Sequence, residues 1–546
     1  MKKLIAILVA MLCALGSLSF VGCGKKAGGT NTLQIWCKEA GYGVEWLNDA
    51  LAAFVEEDWV KAKYPDGVKY DKIDTAGNSN SGLDWLVGGA TQYDIVMPTA
   101  AINSGTYIDN YTKFEDLTDL YNTTVPGESQ TLLEKMIPEI AADNLLSIKG
   151  LEEPIRISIP WVNGAHGWFY NENALAKYLG YSVSWDMMPR TTNEFITMLE
   201  DVKAGIAEKN PGKDWPIFHH TDSVSYWNAD AAMWWAQYDG VDGYNNYYEL
   251  KDANGDIDMQ AAAENSASLG RLRAFETLND VINYDNGYVY EDYYLEKNSY
   301  RVVLGRLAAG TQFVFSSNGD WIENETMPYA TEGQTIRMMR YPVLSSIVEK
   351  LSFGSAQNAD AILSEMIRCI DAGSNFADTQ RAVIQQVQNN ITEDDYNTVK
   401  EARNVVSRSG GHGMYIPSYA DAKELAKDFL LFMATDKGIE IAMQNRIYSS
   451  YNYDYGAKSE VQESLTEMRK DFIKIMGAAR DNGAMLRQES SFATVYYGKL
   501  KAFNTAERPW IASAFLAISN KATPEELWES CKMSKEAMEI INASSR

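Results

Sequence analysis

Histidine is the side chain most often used for acid–base chemistry and metal binding near neutral pH, and this 546-residue chain contains four of them. They are His166, His219, His220 and His412, and none stands in an HExxH pattern or another compact spacing of metal ligands. His219 and His220 are adjacent, so in a strand their rings point apart. The histidines therefore predict no metal site and no cofactor.

Other catalytic arrangements are also missing from the sequence. It has no G-x-S-x-G elbow, no Walker loop and no G-x-G-x-x-G after a strand. The sequence has 74 Asp and Glu residues, so a pair of carboxylates like that of a glycosidase would occur by chance and is no evidence for one. The sequence therefore predicts a protein that is not an enzyme and has no catalytic residues.

One acidic stretch, KDANGDIDMQ at Lys251–Gln260, has the alternating oxygen side chains of a calcium loop. Ile257 stands where an EF-hand needs glycine, and Ala263 stands where it needs a bidentate glutamate. Asn254-Gly255 is better interpreted as a hairpin turn, so no metal site is predicted here either.

Charge and cysteine content exclude further classes. The net charge is −25, which opposes binding to nucleic acid or to an anionic bilayer through a basic patch. The cysteines are scattered without zinc spacing, so they indicate neither a disulfide framework nor a structural metal; they are Cys13, Cys23, Cys37, Cys369 and Cys531. The length suggests two or three cores, as in a two-lobed protein.

The N-terminus resembles a bacterial lipoprotein signal. Two lysines precede an apolar run from Leu4 to about Leu18, and FVGC at Phe20–Cys23 ends it. The resemblance implies a signal peptide at 1–22, lipidation (palmitate) at Cys23 and a flexible tether at 23–31. The apolar run is shorter than the ~20 residues that a membrane helix needs. We therefore expect a soluble protein anchored on the outer face of the cell membrane.

The elements that must position any site begin with alternating strands and helices. Strands are predicted at Thr32–Trp36, Val68–Ala76 and Tyr93–Pro98, with a helix after each of the first two, which indicates an α/β fold and a parallel sheet. Ligands of such sheets bind at the carboxyl ends of the strands. The candidate ligand loops of this region are Glu39–Gly43, Gly77–Ser81 and Thr99–Asn103.

The central stretch from Ile155 to Val202 contains two predicted strands and two helix starts. Ile155, Ile157 and Ile159 alternate with polar residues, as in a strand with one buried face, and Pro160 is expected to end it. Thr191 to Glu194 is a capping box that opens a helix. Farther on, Trp234 and Trp235 are predicted to pack in the core, whereas Trp227 is a candidate for either the core or the ligand site.

Three segments carry a family resemblance. They are IPW...GWFYN.NAL...LG......P.TTNEF from Ile159, RVVLGRLAAGTQFVFSSNGDWIE at Arg301–Glu323, and GGHGMYIPSYADAKELAKDFLLFMATDKG at Gly410–Gly438. In this order they resemble the family 1 extracellular solute-binding proteins, the receptors of carbohydrate ABC importers. Gly438 is expected to cap the C-terminus of its helix. Ser355–Asn404 is predicted to be a helical insertion, and the chain from Ser459 to the end is predicted to be helical, with Thr523 as an N-cap.

The resemblance implies a two-lobed α/β protein of the periplasmic-binding-protein-like type II fold, with a hinge and a central ligand cleft. The expected first lobe is 32–153 with 341–450, including the insertion 355–404, and the second lobe is 154–340 with 451–546. It also implies that a monomer captures a carbohydrate, an oligosaccharide, and delivers it to an ABC permease with a cytoplasmic ATPase. The alternatives are an extracellular glycan-degrading enzyme, a binding protein for a non-sugar polar solute, and a surface adhesion module.

The expected ligand site rests on two tryptophans that each follow a strand end. Trp161 comes directly after Pro160, and Trp321 follows Gly319-Asp320, where ligand sites form in such sheets. For each of them the alternative is a packed core tryptophan. The remaining expected ligand residues are Trp227 and three hydrogen-bonding neighbours of the tryptophans, namely Asn163, His166 and Asp320.

Overall fold

A six-stranded and a three-stranded β-sheet, called the larger and the smaller sheet, organise the chain, and two short strands form a separate two-stranded sheet. The computed structural model describes residues 31–74, 81–98, 107, 109–146, 148, 150–213, 215–219, 224–289, 300–410, 412–453, 459–486 and 522–543. The strands are β1 (Thr32–Cys37), β2 (Lys69–Asp74), β3 (Ile95–Met97), β4 (Ile159–Pro160), β5 (Asn163–Asn171), β6 (Phe218–His219), β7 (Phe315–Gly319), β8 (Ile336–Met339), β9 (Val406–Gly410), β10 (Gly413–Met414) and β11 (Met485–Leu486).

Helices cover the sheets and build the rest of the described chain. The helices up to the end of β7 are α1 (Glu45–Glu56), α2 (Asp58–Lys63), α3 (Ser81–Val87), α4 (Thr118–Tyr121), α5 (Leu132–Lys135), α6 (Pro138–Asp143), α7 (Glu172–Leu179), α8 (Thr192–Lys209), α9 (Val224–Asp239), α10 (Val241–Glu249), α11 (Met259–Ser266), α12 (Leu269–Ile282) and α13 (Tyr300–Ala308). Those after β7 are α14 (Ile322–Thr326), α15 (Ala359–Asp371), α16 (Phe376–Val387), α17 (Glu393–Asn404), α18 (Lys423–Met433), α19 (Asp436–Gln444), α20 (Ser459–Ser464), α21 (Glu467–Asp481), α22 (Pro524–Cys531) and α23 (Lys535–Ala543).

The smaller sheet has the order β2-β1-β3, and both neighbours run parallel to β1. Helix α1 packs against it through Leu47, Leu51 and Phe54, which are fully buried. These side chains recur at helical spacing, so one face of α1 is apolar and goes inward. The predicted strand, helix and parallel sheet are confirmed.

The larger sheet has the order β11-β9-β5-β7-β6, with β8 also paired to β5. β5 is its central strand, since its first residues pair with β9 and the rest pair with β7 and β8. Thr191 caps the following α8 by accepting from the Glu194 N–H. The reciprocal bond of a capping box is absent, because the Glu194 carboxylate accepts from the backbone N–H of Arg190. The predicted start of α8 is nevertheless confirmed.

The segment before β5 differs from the prediction. Ile155 forms only a single bridge with Leu146, and the ladder is limited to Ile159–Pro160, which pairs antiparallel with β10. Pro160 is the last residue of this short strand, so the strand ends where the sequence predicted. Arg156 and Ser158 are also buried, and their polar groups are satisfied there: the Arg156 guanidinium donates to a backbone carbonyl and the Ser158 hydroxyl donates to a side-chain amide oxygen. The prediction of a strand with one buried face over 155–159 is thus wrong.

Helices α15, α16 and α17, which we call the helical unit, have a core of their own that includes Ile362, Met366 and Val399. The helical character predicted for 355–404 is confirmed. The unit contacts the start of α8, where Thr191 and Asn193 donate to Asp360 at 3.3 Å each. The strand that follows the unit, β9, pairs with β5 in the larger sheet. We therefore propose that the second lobe also includes the helical unit and β9, although the sequence-based division put both in the first lobe.

The expected C-cap at Gly438 is wrong. Helix α18 ends at Met433, and Thr435 starts α19 by accepting from the Gly438 N–H at 3.1 Å. Gly438 thus lies in the first turn of a new helix. A Cβ at this position would lie 2.4 Å from the Phe432 carbonyl oxygen, so the glycine permits a close packing of the two helices.

Several smaller expectations are confirmed. Trp234 and Trp235 are buried in the core beneath the larger sheet. Gly255 adopts φ +86° in a turn closed by a bond from the Asp252 N–H to the Asp256 carbonyl. Thr523 caps α22 in a reciprocal capping box with Glu526. Within the described ranges, no helix is long and apolar enough to cross a membrane.

Candidate functional site

Three chain segments cross between the two sheets and define a hinge. The first joins β4 to β5, and the second joins β9 to β10 and runs antiparallel to it, with Pro160 opposite Gly413 and Asn163 opposite Gly410. The third crosses near Tyr448, whose carbonyl accepts from the Asn163 N–H at 3.0 Å. The resemblance to the solute-binding family implies a hinge, and we refer to these crossing segments as the hinge because they are its expected position.

An aromatic cluster lies where the hinge meets the end of β7. We define it as Tyr42, Trp46, Trp161, Trp321 and His412. Trp161 stacks on Trp46 with ring centroids 4.8 Å apart and on His412 with centroids 5.6 Å apart. The Tyr42 ring lies edge-on to both Trp161 and Trp321, at 5.6 and 6.0 Å. The two tryptophans that the sequence singled out are thus brought to one place, and Tyr42 separates them.

The loop after β1 provides Tyr42 and reaches across to the other sheet. Ala40, Gly41 and Gly43 have φ of +60°, +81° and +74°, so the loop needs left-handed backbone in which glycine is favoured. A Cβ on Gly41 would lie 3.1 Å from the Trp321 ring, which shows how closely the loop backbone approaches it. This loop is one of the predicted ligand loops.

Trp161 is buried, with 4 % of its surface exposed. Two rings stack on it, so no open face is left for a ligand in this conformation. Trp321 is only partly buried, and its ring also meets His166 edge-on at 5.6 Å. Of the two tryptophans, Trp321 is therefore the one that a ligand can reach, and a direct contact with Trp161 would require the cluster to open.

Asp320 is fully buried and its carboxylate is occupied by protein donors. It accepts from the Tyr42 hydroxyl at 2.9 Å, from the Ala165 N–H at 3.2 Å and from Arg469 at 3.3 Å. Arg469 is also buried and pairs with Glu323 at 2.8 Å. Burial raises the pKa of Asp320, while Arg469 and the other donors oppose that rise. In this conformation Asp320 ties the Tyr42 loop to the end of β7, and its expected role as a neighbour of the ligand stays a prediction.

Two of the expected polar residues, His166 and Asn163, lie at the site and differ in burial and bonding. His166 is partly buried beside Trp321, and burial lowers its pKa to about 4, so the ring is neutral at pH 7. Asn163 is 3 % exposed, and its side-chain N–H₂ has no acceptor among the described residues. The same holds for the indole N–H groups of Trp46 and Trp161. Buried donors of this kind usually bond to a protein group or to an ordered water.

Other predicted positions lie outside the described residues. They are Cys23, the side chain of Trp227, the loop Thr99–Asn103 and most of Gly77–Ser81. Within the described ranges, no group of His, Cys, Asp and Glu side chains is arranged to hold a metal ion.

Sequence reasoning missed Trp46, His412 and Arg469 as parts of the site. Trp46 lies on α1 and has the spacing of a core residue, so nothing in the sequence distinguished it from its buried neighbours. The spacing of His412 indicates no metal site, so the sequence gives it no role, although it lies in a segment that carries the family resemblance. Arg469 follows the Thr466 N-cap of α21 and looks like a surface helix residue until its buried carboxylate partners are known.

Solved structures of similar fold cover almost the whole chain. Maltose-bound MalE3 of T. maritima is 14 % identical, with a TM-score of 0.54 over 93 % of this chain and 99 % of that one. The solute-binding protein RafE in complex with raffinose is 13 % identical, with a TM-score of 0.52 over 93 % and 99 %. A chitin oligosaccharide binding protein is 14 % identical, with a TM-score of 0.52 over 94 % and 99 %.

No protein-family profile and no curated protein matches the sequence. The relationship is therefore one of structure, in which nearly the full length of each solved protein is matched. These solved proteins bind sugars according to their descriptions. The chain has the two-domain, mixed helix-and-sheet fold of sugar-binding solute receptors.

Proposed function

We propose that the protein captures a carbohydrate, an oligosaccharide, outside the cell and delivers it to a membrane permease of an ABC importer. The observation that carries this proposal is the aromatic cluster at the hinge, in a fold shared with proteins that bind maltose, raffinose and chitin oligosaccharides. In such importers a cytoplasmic ATPase supplies the energy, and the receptor acts as a monomer without cofactor or catalysis.

The chemistry of the cluster suits a sugar. A sugar ring has an apolar C–H face, which packs on an aromatic ring, and a rim of hydroxyls that bond to polar groups. Trp321 offers the partly exposed ring, and His166 lies beside it. The unsatisfied donors of Asn163 and Trp161 are the groups that sugar hydroxyls would satisfy when the cluster opens.

Contacts between the Tyr42 loop and the segment after β7 support closure of the lobes on a ligand. The Tyr42 hydroxyl donates to Asp320, and the Asn324 amide donates to the Tyr42 carbonyl at 2.8 Å, so the loop after β1 is bonded to the segment that follows β7. Opening would break these bonds, and a ligand that contacts both sides would favour the closed state. Small-angle scattering should therefore show a smaller radius of gyration with saturating ligand, and an unchanged radius despite binding would contradict closure.

We propose further that Cys23 carries a lipid anchor and that residues 1–22 are removed as a signal peptide. The support is the sequence pattern that ends in FVGC. A Cys23→Ala variant should lose its lipid and move to the soluble or medium fraction. A lipidated product of that variant would show that the assignment is wrong.

Incubation with oligosaccharides tests the binding function against hydrolysis. Residues 24–546 should be screened on a glycan array and by thermal shift with malto-, raffinose-type, chito- and xylo-oligosaccharides, and the sugars should be recovered for analysis. Binding with unchanged sugar supports the receptor. Cleavage products would support a glycan-degrading enzyme, stabilisation only by non-sugar polar solutes would support the other alternative, and binding of no sugar would overturn the carbohydrate assignment.

A further inference from the structure

A cavity of about 340 Å³ lies between the larger sheet and the helical unit, and no residue of the aromatic cluster lines it. We call it the arginine pocket. Its lining residues are Trp185, Asp186, Met188, Arg190, Arg340, Arg368, Asp371, Ala372 and Arg403. Pockets that hold small organic molecules usually begin at about 300 Å³, so the volume is sufficient for one.

The pocket is positively charged in a protein that is strongly negative overall. Four arginines and two aspartates line it, whereas the chain has a net charge of −25. Arg368 is at the rim and is paired with Glu365 of its own helix at 2.6 Å. The excess positive charge therefore comes from Arg190, Arg340 and Arg403.

One carboxylate inside the pocket is shared by two of these arginines. Arg403 forms a two-pronged pair with Asp371, with Nε–Oδ1 and Nη2–Oδ2 distances of 3.0 and 2.7 Å, and Arg340 Nη1 binds the same carboxylate at 2.8 Å. Burial raises the pKa of Asp371, but the positive charges of Arg403, Arg340 and Arg190 outweigh it and hold that pKa low. The two lining carboxylates, Asp371 and Asp186, cannot neutralise the three guanidinium groups of Arg190, Arg340 and Arg403.

Two of the guanidinium groups have N–H donors that bond to no acceptor among the described residues. The Arg340 side chain is only 9 % exposed, yet its Nε has no acceptor among the described residues. Arg190 is partly buried, and within the same residues its guanidinium makes neither a hydrogen bond nor an ion pair. A buried donor without an acceptor costs free energy, and a charged one such as Arg340 Nε costs more than a neutral one. An anionic ligand would remove that cost.

Trp185 supplies an apolar wall. Its indole N–H donates to the Met338 carbonyl at 2.9 Å, which fixes the ring. Arg340 lies over this ring at 5.5 Å and Lys474 lies over it at 3.9 Å, so further positive charge is held near the pocket. The pocket thus combines guanidinium donors with one aromatic surface.

We propose that the arginine pocket binds a small organic molecule that carries a carboxylate or phosphate group, at a site separate from the cleft. Guanidinium groups match the oxygens of both anions through two parallel N–H bonds. Arg190 and Arg340 donate to the oxyanion, and the body of the ligand packs on Trp185. The occupied site links the 185–190 segment to the helical unit, so the ligand stabilises their contact.

Anion titration of the full chain tests the proposal. Sodium phosphate and sodium citrate are titrated against sodium chloride at matched ionic strength, with melting temperature and calorimetric affinity as readouts. Phosphate, citrate or both should raise the melting temperature above the chloride control, and the stronger of the two identifies the oxyanion. No anion-specific effect with either would overturn the proposal.

Matched variants test whether the anion binds in the arginine pocket. Arg190→Gln removes a guanidinium that bonds to no described protein group and should weaken the anion affinity about tenfold or more, as loss of a charged hydrogen bond does. Arg190→Lys keeps the charge and should retain part of the affinity. Arg381→Gln, on an exposed arginine of the helical unit, should leave it unchanged. An equal response of Arg190→Gln and the wild type would also overturn the proposal, whereas Trp321→Ala should keep the anion response even if sugar binding fails.

Discussion

The two tryptophans of the aromatic cluster should respond to truncation in opposite ways. Trp161 is 4 % exposed and stacked on two rings, so Trp161→Ala removes a buried side chain and leaves a cavity. A buried tryptophan contributes about 200 Å² of surface, which at about 25 cal/mol per Å² sets an upper bound near 5 kcal/mol. Measured truncations of this kind cost about 3 to 5 kcal/mol, and we expect a loss in this range.

Trp321→Ala should instead act mainly on the ligand. The ring is partly exposed, so the loss of unfolding free energy should stay near 1 to 2 kcal/mol, by proportion to the smaller buried area. If a sugar stacks on this ring, the affinity should fall by about 1 to 3 kcal/mol, which is roughly five- to a hundred-fold.

Urea unfolding and titration calorimetry with the sugar found by screening should be run on the same two variants. Tyr181→Ala, at a half-exposed tyrosine with 50 % of its surface accessible, is the control and should change neither quantity by much. Normal affinity in folded Trp321→Ala would refute the ligand role of Trp321. A loss below about 1 kcal/mol in Trp161→Ala would refute its role in the core of the hinge.

Three further substitutions test the surroundings of the cluster. Asp320→Ala removes one of the carboxylates that pair with the buried Arg469, so the free energy of unfolding in urea should fall by about 3 kcal/mol. Asp320→Asn should cost less. A loss below about 1 kcal/mol in Asp320→Ala would contradict the buried tie. Gly41→Ala should weaken sugar binding measured by calorimetry, because its Cβ meets the Trp321 ring at 3.1 Å, while Gly67→Ala, at the similar φ of +82° and with open space, should not. The pKa of His166 is about 4 in the folded protein, below its ordinary 6.5, so its contribution to stability is complete above pH 6.5 and falls by up to about 3 kcal/mol as the pH drops toward 4. His166→Phe should remove this part of the pH dependence in urea titrations, and an identical dependence in the variant would argue against it.

Local patterns predicted much of the secondary structure correctly. The strand Thr32–Cys37, the helix α1 and the caps at Thr191 and Thr523 depend on residues within a few positions of one another, so sequence spacing is enough to find them. Gly438 shows the limit of such patterns. A glycine after an apolar helix face is typical of a C-cap, but here Thr435 starts a second helix before the glycine is reached.

Sequence patterns indicated where the candidate site residues stand along the chain, but not how exposed their side chains are in the fold. Trp321 and the loop that contains Tyr42 follow strand ends, and the topology of such sheets places ligand residues there. Whether a ring at that position faces a ligand or the interior depends on which other segments cover it. Trp161 is covered by Trp46 and His412, which come from parts of the chain far away in sequence.

The sequence by itself determined the class of fold, the acidic surface and the segments that form the hinge, because burial periodicity, charge and segment order are properties of the linear chain. Only the tertiary structure decided that Asp320 is a buried tie to Arg469, that β9 joins the larger sheet, and that Arg340 and Arg403 share Asp371. These are contacts between distant segments, and the free energy of a charge or an aromatic ring depends on the neighbours that folding brings to it.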